Sequence, residues 1–208
     1  MLNEFIYEQK FIAQNQIVAG IDEAGRGALA GPVVAAACIL PLQDYSDFGI
    51  DDSKKLSPKK RFELYDKISA VAVSAQFAFI DNETIDKINI LQSTFKAMEK
   101  AVRMLAPEPH HLLIDGNRFK EIGIPYTTII GGDAKCISIA AASIIAKAAR
   151  DRWMLETEAQ LYPQYHFESN KGYGTKSHIE AIKKYGLCPL HRRTFVKWIM
   201  QKDETIFG

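Results

Sequence analysis

Cysteine is scarce in this 208-residue chain: Cys38, Cys136 and Cys188 stand far apart and never in a CxxC pair. An odd, widely spaced set excludes a disulfide framework and a zinc knuckle and fits a reducing cytosol. Cys38 and Cys136 lie in apolar segments and are expected as buried thiols. No uninterrupted apolar run reaches about 18 residues, so no membrane span is expected. The opening Met1-Leu2-Asn3-Glu4-Phe5 has neither a basic stretch nor an apolar core, so no signal peptide is expected. Internal repeats, low-complexity tracts and Ser/Gly linkers are also missing, and a single domain spanning 1–208 is the expectation. Net charge is only +1, too small for the whole surface to attract polyanions. The charge is uneven, however. From Lys171 to Lys202 eight basic residues stand against one acid, Glu180, so a phosphate-holding face and an ordinary solvated face both fit there.

The chain reads as alternating strands and helices. Strands are expected at 16–21, at 33–40 up to Pro41, at 71–80, at 112–114 and at 126–130. Ser57-Pro58 opens a helix, with serine at the N-cap and proline in the first turn. A second helix is expected over 82–106, broken near Ile88-Asn89. A third, alanine-rich and apolar nearly all round, is expected over 134–160, buried at the centre. The tail is expected to be helical over 177–185 and irregular over 186–189. This pattern gives an α/β sheet flanked by helices, with about 165–208 forming a small helical C-terminal region.

The residues that carry chemistry sit at the ends of these strands. Gly20-Ile21-Asp22-Glu23-Ala24-Gly25-Arg26-Gly27 closes the first strand: two acids suited to divalent metal, then an arginine suited to phosphate between two glycines that admit close approach. Asp115 ends the fourth strand and Asp133 follows the fifth. Taken singly, Asp115-Gly116-Asn117 is also a turn, and Asp133 also suits a helix start. If the first, fourth and fifth strands are neighbours, the four acids converge at one end of the sheet. Clustered carboxylates repel one another unless cations neutralise them. Mg²⁺ or Mn²⁺, hard and oxygen-seeking, is the expected cofactor, and two such ions suit in-line displacement at phosphorus. Lys54, Lys55, Lys147 and Arg150 are further candidates for phosphate contact, with surface or ion-pair roles as the alternative. Lys147 and Arg150 share one helix face. The five histidines form no ligand spacing and are expected to be exposed or hydrogen-bonded.

Several blocks, in order, resemble the type 2 ribonucleases H, and bacterial ribonuclease HII among them. They are Asp22 to Gly27, Asp52-Ser53-Lys54-Lys55-Leu56, Asp115-Gly116-Asn117, Gly132-Asp133, Ser138 to Asp151, Gly172-Tyr173-Gly174-Thr175 and His191 to Phe195. The resemblance implies an RNase H-like mixed sheet. It implies endonucleolytic hydrolysis of RNA in RNA–DNA hybrids, and of DNA with embedded ribonucleotides, leaving 3′-hydroxyl and 5′-phosphate ends. It implies Asp22, Glu23, Asp115 and Asp133 as the metal-binding catalytic acids. It implies Gly25, Arg26 and Gly27 as the contact to the ribose 2′-hydroxyl, and Tyr173 as the ring packed on the following sugar. The length leaves little room for the extra N-terminal domain of ribonuclease HIII. A monomer of the cytoplasm is expected. The alternatives are another metal nuclease of this fold, indifferent to the 2′-hydroxyl, or a non-catalytic hybrid-binding module.

Overall fold

The computed structural model of the chain describes residues 6–50, 53 and 56–200. Asp52, Lys54 and Lys55 lie outside the described residues. A short helix α1 (Gln9–Ile12) precedes β1 (Val18–Ala24), β2 (Val33–Ile39), α2 (Pro58–Val71), β3 (Ser74–Ile80) and α3 (Asn82–Arg103). Then come β4 (His111–Asp115), β5 (Tyr126–Ile129), α4 (Ile137–Trp153), α5 (Ala159–Leu161), α6 (Phe167–Asn170), α7 (Lys176–Tyr185) and α8 (Arg193–Met200).

The five strands form one mixed sheet in the order β3-β2-β1-β4-β5. β2 runs antiparallel to β1 and β3, whereas β1, β4 and β5 are parallel. Side chains alternate across the central strand. Ala19 and Ile21 pack with Ala97, Met98 and Ala101 of α3 on one face. Ala24, with Ala36 and Cys38 of β2, packs under α4 and under Leu64 and Ile68 of α2 on the other. The near-continuous apolarity of α4 has its cause here, since every residue from Ile137 to Ala146 is buried. A β-carbon at Gly20 would fall 2.1 Å from the Ser138 carbonyl carbon, so the start of α4 crosses β1 in direct backbone contact.

The sequence signals at helix starts hold. The Ser57 hydroxyl accepts from the Lys60 amide at 3.2 Å, and α3 breaks at Asn89, where φ is 64°. Cys38, Cys136 and Cys188 are all buried thiols outside any disulfide among the described residues. Among the described residues no helix is long and apolar enough to cross a membrane. Other boundaries shift. β1 continues through Ala24, so Asp22 and Glu23 lie within the strand. α2 runs on to Val71, and β3 therefore starts later, at Ser74. The long buried helix is α-helical only to Trp153 and then widens into a π turn over Met154–Glu158. Ala134 belongs to a separate 3₁₀ turn, Gly132–Ala134. Helix α1 is an addition to the expected pattern, and α8 lies in the expected helical C-terminal region.

The C-terminal helices enclose a small core of their own, including Met154, Tyr165, Phe167, Ile182 and Val196, into which Leu29 and Ala30 insert. Backbone bonds tie the two parts together. Leu29 N–H donates to the Gly172 carbonyl at 2.8 Å, and Arg192 N–H to the Leu29 carbonyl at 2.8 Å.

Candidate active site

The parallel register pairs Gly20 with Leu113 and Ile21 with Ile114, which sets Asp22 beside Asp115 at the carboxyl ends of β1 and β4. β5 continues the parallel set, with Asp115 opposite Ile129. The adjacency on which convergence of the acids depends is therefore present. Asp22, Glu23 and Asp115 line one cavity of about 220 Å³, facing Gly25, Arg26, Lys147 and Tyr173. Asp133 is buried and does not line it. The Gly132 amide donates to Asp115 Oδ1 at 2.7 Å, however, so the turn that carries Asp133 is fastened to an acid that does.

Asp22 is buried, and its pKa is raised well above the ordinary carboxylate value. Burial is the main cause, followed by the negative charges of Glu23 and Asp115. The Glu23 amide and the Ser143 hydroxyl oppose the shift by donating to the carboxylate, the amide at 2.6 Å. Ser143 Oγ lies 2.9 Å from Ser53 Oγ. These two serines, which lie in the family-like sequence blocks without an assigned role, connect Asp22 to Arg61. The buried Arg61 donates to the Ser53 carbonyl and pairs with Asp151 at 3.1 Å. Among the described residues no group of three or more His, Cys, Asp or Glu side chains forms a ready-made metal cage. The donor set at the cavity is all oxygen and mutually repelling. It fits a hard cation that keeps several waters rather than one enclosed by protein.

The glycine-flanked loop has two different glycines. Gly25 has φ +90°, and a β-carbon there would meet Arg150 Nε at 2.1 Å. Gly27 has open space around it, so backbone is presented there without a shielding side chain. Arg26 is half exposed and pairs with Glu23 at 3.1 Å. Tyr173 is half buried, with Lys147 Nζ 4.9 Å and Arg150 Cζ 5.1 Å from its ring centre.

Arg150 corrects the sequence expectation. It is fully buried, and its guanidinium donates to the carbonyls of Pro32, Ala30 and Lys171 at 2.9 to 3.0 Å. It is a brace between the 30–32 segment and the C-terminal helices, not an exposed phosphate contact. Lys147 does line the cavity, with its ammonium 2.7 Å from Asp151 Oδ1. Arg192, counted in the basic tail, is also buried, and it donates to the carbonyls of Gly31 and Arg26 at 2.9 Å. Both arginines read as surface charge in the sequence because their carbonyl partners lie more than 100 residues away or across loops. His110, His111, His178 and His191 are hydrogen-bonded, and His166 is exposed. His110 accepts from the Ile17 amide at 2.9 Å, and His178 and His191 form a buried pair.

The family profile described as Ribonuclease HII matches residues 19–199. The chain belongs to the ribonuclease HII family. It is 54% identical over 196 residues to the ribonuclease HII of Endomicrobium trichonymphae, covering 93% of this chain and 92% of that one. It is 54% identical over 183 residues to that of Chlorobium luteolum, covering 86% and 88%. The structure is similar to the ribonuclease H2 of Pyrococcus horikoshii OT3, with TM-score 0.71 and 26% identity over 90% of this chain and 99% of that one. The mixed sheet flanked by helices is therefore the RNase H-like fold, and the chain is a ribonuclease H-type enzyme, a hydrolase with endonuclease activity.

Proposed function

We propose that this enzyme hydrolyses the RNA strand of RNA–DNA hybrids and nicks duplex DNA on the 5′ side of an embedded ribonucleotide. The products end in 3′-hydroxyl and 5′-phosphate, and the enzyme works as a monomer of the cytoplasm. One observation carries the reading: a single cavity joins acids at the ends of β1 and β4 to the glycine-flanked loop and Tyr173. Cutting and ribose recognition thus share one wall.

Asp22, Glu23, Asp115 and Asp133 are assigned to hold two Mg²⁺ or Mn²⁺ ions. The support is the all-oxygen donor set of Asp22, Glu23 and Asp115 at the cavity, and the Asp22 pKa, raised by burial and then by the charges of Glu23 and Asp115; Asp133 joins them through the Gly132 turn that is fastened to Asp115. When bound, two such ions would supply an activated water and stabilise the leaving 3′ oxygen. The remaining work falls to the chain itself. Only the 2′-hydroxyl separates RNA from DNA at one nucleotide, and it both donates and accepts. Backbone groups of Gly25, Arg26 and Gly27 can answer it because the loop is open at Gly27 and its Arg26 carbonyl is pinned by Arg192. Tyr173 offers a flat face to the next sugar. Lys147, with Lys54 and Lys55, is assigned to the flanking phosphates.

The decisive assay is a duplex DNA with one ribonucleotide, incubated with Mg²⁺ or Mn²⁺ beside an all-DNA duplex. A nick directly 5′ to the ribonucleotide, with the control intact, is expected. Equal cutting of both substrates overturns the 2′-hydroxyl reading, and binding without cutting overturns the catalytic one.

A further inference from the structure

His178 and His191 lie in the C-terminal core, away from the acids, and nothing in the reading above uses them. Both are buried, with the edges of Tyr165 and Phe167 packed against them. With both rings neutral, their nitrogens form a chain whose donors and acceptors follow from the Tyr173 carbonyl. His178 Nδ1 lies 2.9 Å from the Tyr173 carbonyl. A carbonyl only accepts, so Nδ1 carries the proton. In a neutral ring Nε2 is then an acceptor, and it lies 3.1 Å from His191 Nε2, which must donate. His191 Nδ1 is left with its lone pair, and it receives the Cys188 amide at 2.9 Å. Donation therefore runs from Cys188 N–H to His191, from His191 to His178, and from His178 to the Tyr173 carbonyl. Neutral rings suit a chain of this kind, since each nitrogen then has a partner of the right kind, and the Cys188 thiol, 3.2 Å from His191 Nδ1, can donate to the same lone pair.

The Tyr173 carbonyl also accepts from the Thr175 amide at 2.8 Å, and the Tyr173 amide donates to the Asn170 carbonyl at 2.9 Å. The Tyr173 backbone is thus held from the C-terminal side, while its ring rests against Lys147 and Arg150 of α4. His178 is the one side chain in this set that reaches the Tyr173 carbonyl from α7.

We propose that His178 is a positioning residue for Tyr173, held in a single neutral tautomer by His191, so that the histidine pair sets how firmly the tyrosine meets the sugar of the substrate. This rests on the reading of Tyr173 as a substrate contact.

The test is a double-mutant cycle on the single-ribonucleotide duplex, with kcat and KM measured at pH 8 and thermal melting recorded for each variant. His178→Phe keeps the ring volume and removes the donor. His178→Asn places an amide nitrogen where Nδ1 stood and keeps the donor. Relative to the starting enzyme, His178→Phe is expected to lower kcat/KM about tenfold, mainly through KM, a coupling of ordinary size for residues in contact. His178→Asn is expected to recover most of that loss. In a Tyr173→Ala background, His178→Phe is expected to have no further effect. If Tyr173→Ala is impaired and the two losses multiply, or if His178→Asn is no better than His178→Phe, the proposal is overturned while the reading of Tyr173 stands. If Tyr173→Ala is as active as the starting enzyme, that reading fails and the proposal with it. Should His178→Phe be unfolded at the assay temperature, the same cycle with His191→Leu, and rescue by His191→Gln, decides between the same outcomes.

Discussion

Asp115 shows at the scale of one residue how a functional acid is also built into the fold. Its backbone ends β4, its neighbour across the register is Asp22, and its Oδ1 accepts from the Gly132 amide. Asparagine at this position keeps the size and the acceptor for Gly132 but removes the charge. Asp115→Asn is therefore expected to lower turnover by roughly 10³-fold, about 4 kcal/mol of transition-state stabilisation, with melting unchanged within about 2 °C. Near-native turnover in a nicking assay would remove Asp115 from the metal site. Gly25 makes the complementary case, where the constraint is steric. Its positive φ and the fixed Arg150 side chain both exclude a methyl group, and Arg150 cannot swing away because it donates to three carbonyls. Gly25→Ala is expected to cost about 2–4 kcal/mol of stability. Chemical denaturation that shows no loss would mean that the loop relaxes freely and that its geometry is not set by Arg150.

At the scale of elements, α4 is the piece that makes the site possible. It brings Ser143 to Asp22, Lys147 to the cavity and Arg150 to the loop, and it can do so only because its first turn sits directly on β1 at Gly20. The contact is backbone against backbone, so an added β-carbon has no flexible neighbour to displace. Gly20→Ala is expected to destabilise by about 3 kcal/mol, which for a chain of this size is a fall of roughly 6–12 °C in Tm by calorimetry. A change under about 2 °C would show that α4 is not seated by this contact. Much of this level was legible in advance. Ser57-Pro58 marked a helix start, Asn89 marked a break, and the apolar run from Ile137 marked a buried helix, because each is a local rule with a local cause. The π turn after Trp153 was not anticipated, and the helix at Arg193–Met200 was expected only as part of a helical C-terminal region without bounds of its own. Their apolar residues pack into the C-terminal core around Leu29 and Ala30, partners that no local pattern reveals. For the same reason Arg150 and Arg192 read as phosphate contacts or surface charge, although carbonyls from distant loops claim both. The meeting of Asp22, Glu23 and Asp115 at one cavity was legible because it required only that strands β1 and β4 be neighbours. Asp133 is the exception in placement, one residue removed from the turn amide that holds Asp115 and outside the cavity wall.

For the molecule as a whole, the sheet that carries the acids and the helical region that carries Tyr173 are joined by polar groups buried between them, and buried polar groups make stability depend on pH. The clearest case is His191. Burial, then the neighbouring His178, pushes its pKa down from 6.5 to about 4. His178 is shifted the same way, chiefly by burial. The sign follows directly. Between these values the unfolded chain binds the proton and the folded chain does not, so stability falls as pH drops through that window. It is constant above about pH 6.5 and levels off again below about pH 4, as far as this residue is concerned. Carboxylates add their own slope in the same range, so a paired measurement is required. His191→Gln keeps a donor toward His178 and cannot titrate. From pH 7 to pH 4 the starting enzyme is expected to lose on the order of 2 kcal/mol relative to this variant, a figure already discounted for partial solvent access. Urea unfolding of both proteins at pH 7, 5.5 and 4.5 measures the gap. A gap that stays constant with pH would mean that His191 is not held neutral by its burial, and that the joint between the two parts tolerates a charge at its centre.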